Sequence, residues 1–226
     1  MYTELLKKVP LFYGLNETEI NMALKCLFPK IKNYNKGDVI LMRGDKATDV
    51  GIVLIGKVQI IKEDFLGNRN IIAEAEAAEL FAEVFSCSNT AKLPVTVVAS
   101  AESRILFIDY KKIVSSCSAA CSFHTRLIEN MLSILANKNI LLNQKIEHIS
   151  KRTTREKLLS FLSTQFQKSG SYEFCIPFNR QELADYLCVD RSAMSNELCK
   201  LRTEGIIDFR KNKFKILADY NMSEFN

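Results

Sequence analysis

Five polar side chains, Arg191, Ser192, Ser195, Asn196 and Lys200, share one face of a segment whose other face carries Met194, Leu198 and Leu201. They are donors and acceptors of the kind that read base edges: arginine can bond guanine twice and asparagine adenine twice. The same face would also suit the solvated side of a core helix pair, since surface helices are usually polar outward. The next stretch of the chain favours the first reading. Ile206, Ile207 and Phe209 lead into the basic residues Arg210, Lys211, Lys213 and Lys215, which interleave with Phe214, Ile216 and Leu217. Two short apolar runs around Lys211-Asn212-Lys213 predict a hairpin whose cations lie near enough to touch a phosphate backbone.

Two helices must position that face. Leu183, Ala184 and Leu187 make the apolar stripe of a first helix, with Ala184 small enough for close approach. Asp190 suits the N-cap of the second helix, because its carboxylate can accept a first-turn N–H, and Gly205 lies where that helix should stop. The spacing predicts a helix-turn-helix, whose second helix enters the DNA major groove.

The string FNRQELADYLCVDRSAMSNELCKLRTEGII resembles the winged helix-turn-helix of the bacterial cyclic-AMP receptor and fumarate-nitrate regulator (Crp/Fnr) family. The resemblance covers nearly the whole chain. It implies an α+β protein with an N-terminal cyclic-nucleotide-binding-like β-roll over residues 1–116, a dimerisation helix over 117–150 and a DNA-binding domain over 151–226. The implied function is a ligand-responsive dimeric transcription regulator on a palindromic operator. Its partners would be double-stranded DNA, a second copy of the chain and, if it activates, RNA polymerase.

The 226 residues suffice for two small domains with a core each. No apolar run reaches eighteen residues and the start lacks a signal peptide, so no membrane role and a cytoplasmic location are expected. There the seven cysteines would stay reduced. The net charge is +5, and residues 151–226 hold 13 Lys+Arg against 10 Asp+Glu. That excess permits phosphate binding without demanding it, so the case for DNA rests on the helix motif.

Residues from Tyr2 to about Phe28 are helical in pattern, with Asn16 and Glu19 spaced as a capping box and Cys26 read as a buried structural thiol. Between Ile31 and Asp109, short apolar runs predict strands at Val39–Leu41, Val50–Ile55, Val58–Ile61, Ile71–Ile72, Val95–Val98 and Ile105–Ile108. Gly37, Gly44, Asp45, Leu54, Gly56 and Val58 carry the resemblance to the cyclic-nucleotide-binding fold. Ala78 to Glu83 stands where that family has its phosphate-binding turn, with alanine at both glycine positions. Leu93-Pro94 stands where nucleotide-binding relatives carry an Arg-Ser pair. The resemblance thus implies an effector site at Phe81, Ala82, Glu83, Leu93, Pro94 and Thr96, closed by the long helix near Asn139. Without the cation it suits an unidentified, neutral or weakly polar molecule better than cyclic AMP. A filled roll with no effector is the alternative.

No Gly or Pro interrupts the chain from about Cys117 to Ile149, which predicts one long helix. Ile128, Leu132, Leu135, Asn139, Leu142, Ile146 and Ile149 recur at alternating steps of four and three, the seam of a parallel two-stranded coiled coil with Asn139 fixing register. Leu127, Met131, Ile134 and Leu141 form a second stripe, expected to pack on the β-roll. Cys117, Cys121 and His124, with Cys87 as a distant fourth ligand, invite a metal reading. Zinc sites more often show Cys-x-x-Cys pairs, so no metal ligand and no certain cofactor is assigned. A thiol- or metal-based redox regulator of the same fold, and a ligand-binding module without DNA function, stay as alternatives. His148 is expected at the surface, favoured there by the helix dipole. Lys151 to Arg155 is the expected hinge. No nucleophile elbow, P-loop, paired-His motif or dinucleotide fingerprint occurs, so no enzymatic activity is expected.

Overall fold

The computed structural model describes residues 2–63, 69–88, 92–115 and 122–217. They form two compact units, Met1–Asn137 and Lys138–Asn226. The first opens with α1 (Thr3–Leu6), a 3-10 turn at Pro10–Phe12 and α2 (Glu17–Leu27). Asn16 and Glu19 close the expected capping box, each side chain accepting the other's backbone N–H.

Strands β1 (Lys30–Tyr34), β2 (Val39–Leu41), β3 (Asp49–Ile55), β4 (Lys57–Glu63), β5 (Arg69–Glu76) and β6 (Leu80–Phe81) come next. After α3 (Glu83–Cys87) stand β7 (Thr96–Ala99), β8 (Ser103–Asp109) and α4 (Tyr110–Val114). The order β1-β8-β3-β6 makes one antiparallel sheet and β2-β7-β4-β5 the other. Every expected strand is present, while β1, β6, α3 and α4 are additions.

Strand β3 explains how one sheet serves two cores. Its side chains alternate faces, so Val50, Ile52 and Leu54 join α1, α2 and α4 in one cluster, and Val53 turns to the second sheet. Its neighbour β8 does the same, with Leu106 and Ile108 on the helical side and Ile105 and Phe107 on the inner side. Burial on both faces accounts for the nearly unbroken apolar run Val50 to Ile55.

Helix α5 is described from Ser122 to Ser150. Phe123, Leu127 and Met131 are buried in the first unit's core, with Ile134 and Leu135 packed at its edge. Asn130 fastens this half: its Nδ2 donates to the carbonyls of Leu11 at 2.9 Å and Tyr13 at 2.8 Å. Leu141 departs from the expectation that it packs on the roll. It lies beyond the point where α5 leaves that core and is 56% exposed.

The second unit contains the rest of α5, then α6 (Thr154–Ser169), β9 (Glu173–Cys175), α7 (Arg180–Leu187), α8 (Arg191–Thr203), β10 (Ile207–Arg210) and β11 (Lys213–Ile216). His148 is another correction. Far from lying at the surface, it is 1% exposed, with its ring edge-on to Phe161 and its Nδ1 2.9 Å from the Ser160 hydroxyl. Packing of α5 against α6 outweighs the dipole argument, and desolvation lowers the imidazole pKa below its ordinary value.

Candidate nucleic-acid interface

Leu183, Ala184 and Leu187 of α7 and Met194, Leu198 and Leu201 of α8 are fully buried, with Leu158, Phe161 and Leu162 of α6 beneath them. Each of the leucine, methionine and phenylalanine side chains is worth about 1.5–3 kcal/mol of burial, enough to hold the two helices in one arrangement. Asn179 and Glu182 form a capping box at the start of α7. At its end Cys188 adopts φ 52°, ψ 55°, the left-handed conformation a tight turn requires. Asp190 then caps α8 as expected, Oδ1 accepting the Ala193 N–H at 2.9 Å, and Gly205 stands just past the helix at φ +75°.

This packing leaves Arg191, Ser192, Asn196 and Lys200 exposed and Ser195 half-buried on the outer face of α8. Two of them already have partners. The Ser192 hydroxyl donates to Asp190, and Lys200 Nζ lies 3.3 Å from Glu197. Arg155, from the basic run after α5, bridges Glu197 on α8 and Glu204 at its end, which commits it to holding α6 on α8.

The expected hairpin is β10–β11, with Phe209 opposite Phe214 and Arg210 opposite Lys213. Arg210, Lys211, Lys213 and Lys215 are exposed, and Lys211 sits in the turn at φ 55°. Sequence reasoning missed that β9 joins as a third strand, with Phe174 opposite Phe214. It also missed that the turn is tied back: the Ile176 N–H donates to the Asn212 carbonyl at 2.9 Å, and Asn212 Nδ2 donates to the Ile176 carbonyl at 3.2 Å. A cavity of about 700 Å³ opens between the wing turn and the two helices, lined by Asn179, Arg180, Gln181, Arg191, Lys211 and Asn212 among others. Arg191 and Lys211 in this lining can meet an anionic backbone while the α8 face meets base edges, beside one carboxylate, Glu182.

In the first unit, the residues expected around an effector are brought together in part. Phe81 and Ala82 belong to the inter-sheet core with Val53, Val58, Val97, Ile105 and Phe107. The Phe81 ring lies on Gly51 so closely that a Cβ there would come within 2.2 Å of it, and it meets Phe107 edge-on. Glu83 is buried at 2% exposure. Both substituted turn positions keep a glycine-like backbone, with φ 71° at Ala78 and 63° at Ala82. The other three are outside that cluster: Leu93 is buried and pairs its backbone with Gly44 and Asp45, Pro94 is exposed, and the Thr96 hydroxyl accepts the Arg43 N–H. Asn139 is exposed and accepts from Asn143 at 2.8 Å.

Of the metal candidates, Cys117 and Cys121 lie outside the described residues. Among the described residues no cluster of three metal-binding side chains forms. Cys26, expected to be buried, is half-buried against the core, with Sγ 3.9 Å from His124 Nε2. Burial raises the pKa of the Cys87 thiol, which makes it less reactive. No described helix is long and apolar enough to cross a membrane.

The cyclic nucleotide-binding domain family matches residues 31–119, and the Crp-like helix-turn-helix domain family matches residues 156–219. None of the curated proteins compared matches the chain. Among solved structures the chain is similar to CprK complexed with OCPA, at 17% identity over 96% of this chain and 97% of that one, with a TM-score of 0.64. It is similar to the sensor domain of the transcriptional regulator DNR from Pseudomonas aeruginosa, at 21% identity over 67% and 95% of the two chains, with a TM-score of 0.51. A third is the Thermus thermophilus catabolite activator protein, at 21% identity over 92% and 93%, with a TM-score of 0.49. A nucleotide-binding-like β-roll, a long helix and a Crp-like reader therefore stand in order along this chain, which belongs to the Crp/Fnr family of transcription regulators.

Proposed function

We propose that the chain acts as a homodimer on a palindromic operator, with Arg191, Ser192, Ser195 and Asn196 toward bases and Lys200, Arg210, Lys211, Lys213 and Lys215 toward phosphates. The observation that carries this reading is the division of α8 into a fully buried apolar face and an exposed polar one beside a cationic wing. Support for the dimer comes from the seam on α5. Leu132, Leu142 and Ile146 are 62%, 61% and 58% exposed, while Ile128, Leu135 and Ile149 are half-buried. A row of leucines and isoleucines at heptad spacing left in water calls for a partner helix. Two α8 helices would then meet successive major-groove faces about 34 Å apart. If the regulator activates, RNA polymerase is its further partner. Arg191→Ala should weaken operator binding by about 1–3 kcal/mol and relax preference at one base pair. Equal loss on operator and random DNA, measured by titration of both, would remove the assigned role.

The effector reading is a small molecule other than a cyclic nucleotide, met by Phe81, Ala82, Glu83, Leu93, Pro94 and Thr96 with Asn139. A buried cyclic phosphate needs a cation and aligned donors. Leu93 and Pro94 supply no charge, and Pro94 no N–H. A second reading, a filled roll that takes no effector, is favoured by the Phe81 ring seated on Gly51. Calorimetry with cyclic AMP and cyclic GMP tests both readings: no heat is expected from either. A micromolar dissociation constant abolished by Glu83→Ala would overturn them.

A further inference from the structure

Arg180, the first residue of α7, is half-buried, yet among the described residues it has no carboxylate partner and no hydrogen bond. Two rings of the wing lie against it, with the Cys199 thiol on α8 also close enough to act on its charge. The guanidinium carbon lies 4.7 Å from the Phe209 ring centroid and 5.2 Å from that of Phe214. Those rings oppose each other across β10 and β11 with centroids 5.8 Å apart, so one guanidinium spans both strands of the hairpin. Arg202, near the C-terminal end of α8, reaches the same Phe209 ring at 5.4 Å and pairs through Nε with Asp208 at 3.0 Å. Each helix of the helix-turn-helix thus contributes one guanidinium to one aromatic ring.

We propose that Arg180 is a positioning residue for DNA binding: with Arg202 it clamps Phe209, and so fixes where the wing holds Arg210, Lys211 and Lys213 relative to the recognition helix. The inference rests on the DNA-binding reading above. A planar guanidinium is suited to this task, because it can lie over an aromatic face while remaining charged at every physiological pH. Burial strengthens the attraction, since a desolvated cation over a ring interacts more strongly than one in water. Phe209 is the pivot because it is the residue immediately before Arg210. A ring free to leave its place would carry the neighbouring cations with it. Lysine at position 180 would keep the charge and lose the stack, whereas leucine at position 209 would lose the ring and alter no charge.

The test is the salt dependence of binding to a random-sequence 40-base-pair duplex, which needs no knowledge of the operator. The slope of log K against log salt counts the phosphates neutralised, at about 0.9 per contact. Arg180→Lys and Phe209→Leu are each expected to lower that slope by about two, although neither changes the net charge. Combining Phe209→Leu with Lys211→Gln and Lys213→Gln should add little to the loss caused by the two glutamines alone, because the wing contacts are the same ones. Hydrogen exchange at the Phe209 to Lys213 amides should rise in both conservative variants. A wild-type slope in Phe209→Leu would overturn the clamp. So would a wild-type slope in Arg180→Lys with a fall of about one in Arg180→Met, since Arg180 would then be a direct phosphate contact. If Arg180→Lys failed to fold, Phe209→Leu would decide alone. Wild-type protein that shows no salt-dependent duplex binding would instead refute the DNA-binding reading itself.

Discussion

The reader unit and the β-roll handle polar chemistry in opposite directions. In the reader, every large apolar side chain of α7 and α8 turns inward, and Arg191, Asn196 and Lys200 project from a packed back. In the roll, three of the residues expected to meet a ligand, Phe81, Ala82 and Glu83, are buried, and the first two already pack against Phe107 and Val97. An outward-facing site is ready once its support is folded. An inward-facing one must contend with the packing that holds the domain together, and close-packed interiors have little room to give.

The sharpest way to break this contrast is to remove the ring that fills the roll. Phe81→Ala should cost about 3–5 kcal/mol of the first unit's stability, the usual range for deleting a buried aromatic side chain. Chemical denaturation of the full-length protein, compared with the wild type, would measure it. A loss under about 1 kcal/mol would mean that the ring merely lines an open chamber, and the contrast with the reader would fall.

A smaller effect, gated by pH, belongs to the reader. Burial holds the His148 imidazole below its ordinary pKa, with Glu147 opposing and Lys168 and Lys151 reinforcing that shift. The unfolded chain therefore takes up its proton first. Stability should be fully present above about pH 6.5 and lost as pH falls through the lower folded value. Urea midpoints at several pH values should show an acid-side loss in the wild type that exceeds the loss in His148→Gln. Parallel curves would show that this histidine titrates alike in both states.

The smallest effect distinguishes two left-handed residues. Cys188, at φ 52° in the turn before α8, is exposed, so Cys188→Gly relieves strain without exposing apolar surface. A gain of about 0.5–1 kcal/mol is expected in thermal melts. Ala82, at φ 63°, has its methyl group buried in the roll, and the burial lost in Ala82→Gly should offset the strain relieved. Equal gains at both positions would show that the roll turn is less tightly packed than its reader counterpart.

What was legible in the sequence obeys the same division. The α8 face, its Asp190 cap and the hairpin around Lys211-Asn212-Lys213 depend on neighbours three or four residues away or directly across a turn, and periodicity carries that information. Strand β1 escaped notice because Lys30-Ile31-Lys32-Asn33-Tyr34 is an exposed edge strand, paired only with β8, and carries few apolar residues. The seating of Phe81 on Gly51 joins residues 30 positions apart through sheet pairing, and no local pattern encodes it. The burial of His148 is hidden from the sequence for a related reason: its surroundings are Ser160, Phe161 and Tyr186 on other helices. Leu141 continues an apolar stripe in sequence, but the stripe runs past the core that buries its earlier members.

The contact between Phe81 and Gly51 also offers an engineering handle. Removing the ring while leaving the glycine would carve a benzene-sized hollow between apolar walls, and hollows of that kind stay dry and take up small apolar molecules. A small aromatic compound could then refill the space and restore the lost packing. The pair of residues would become a lock for a synthetic inducer, shaped to the space that the Phe81 ring occupies in the unmodified regulator.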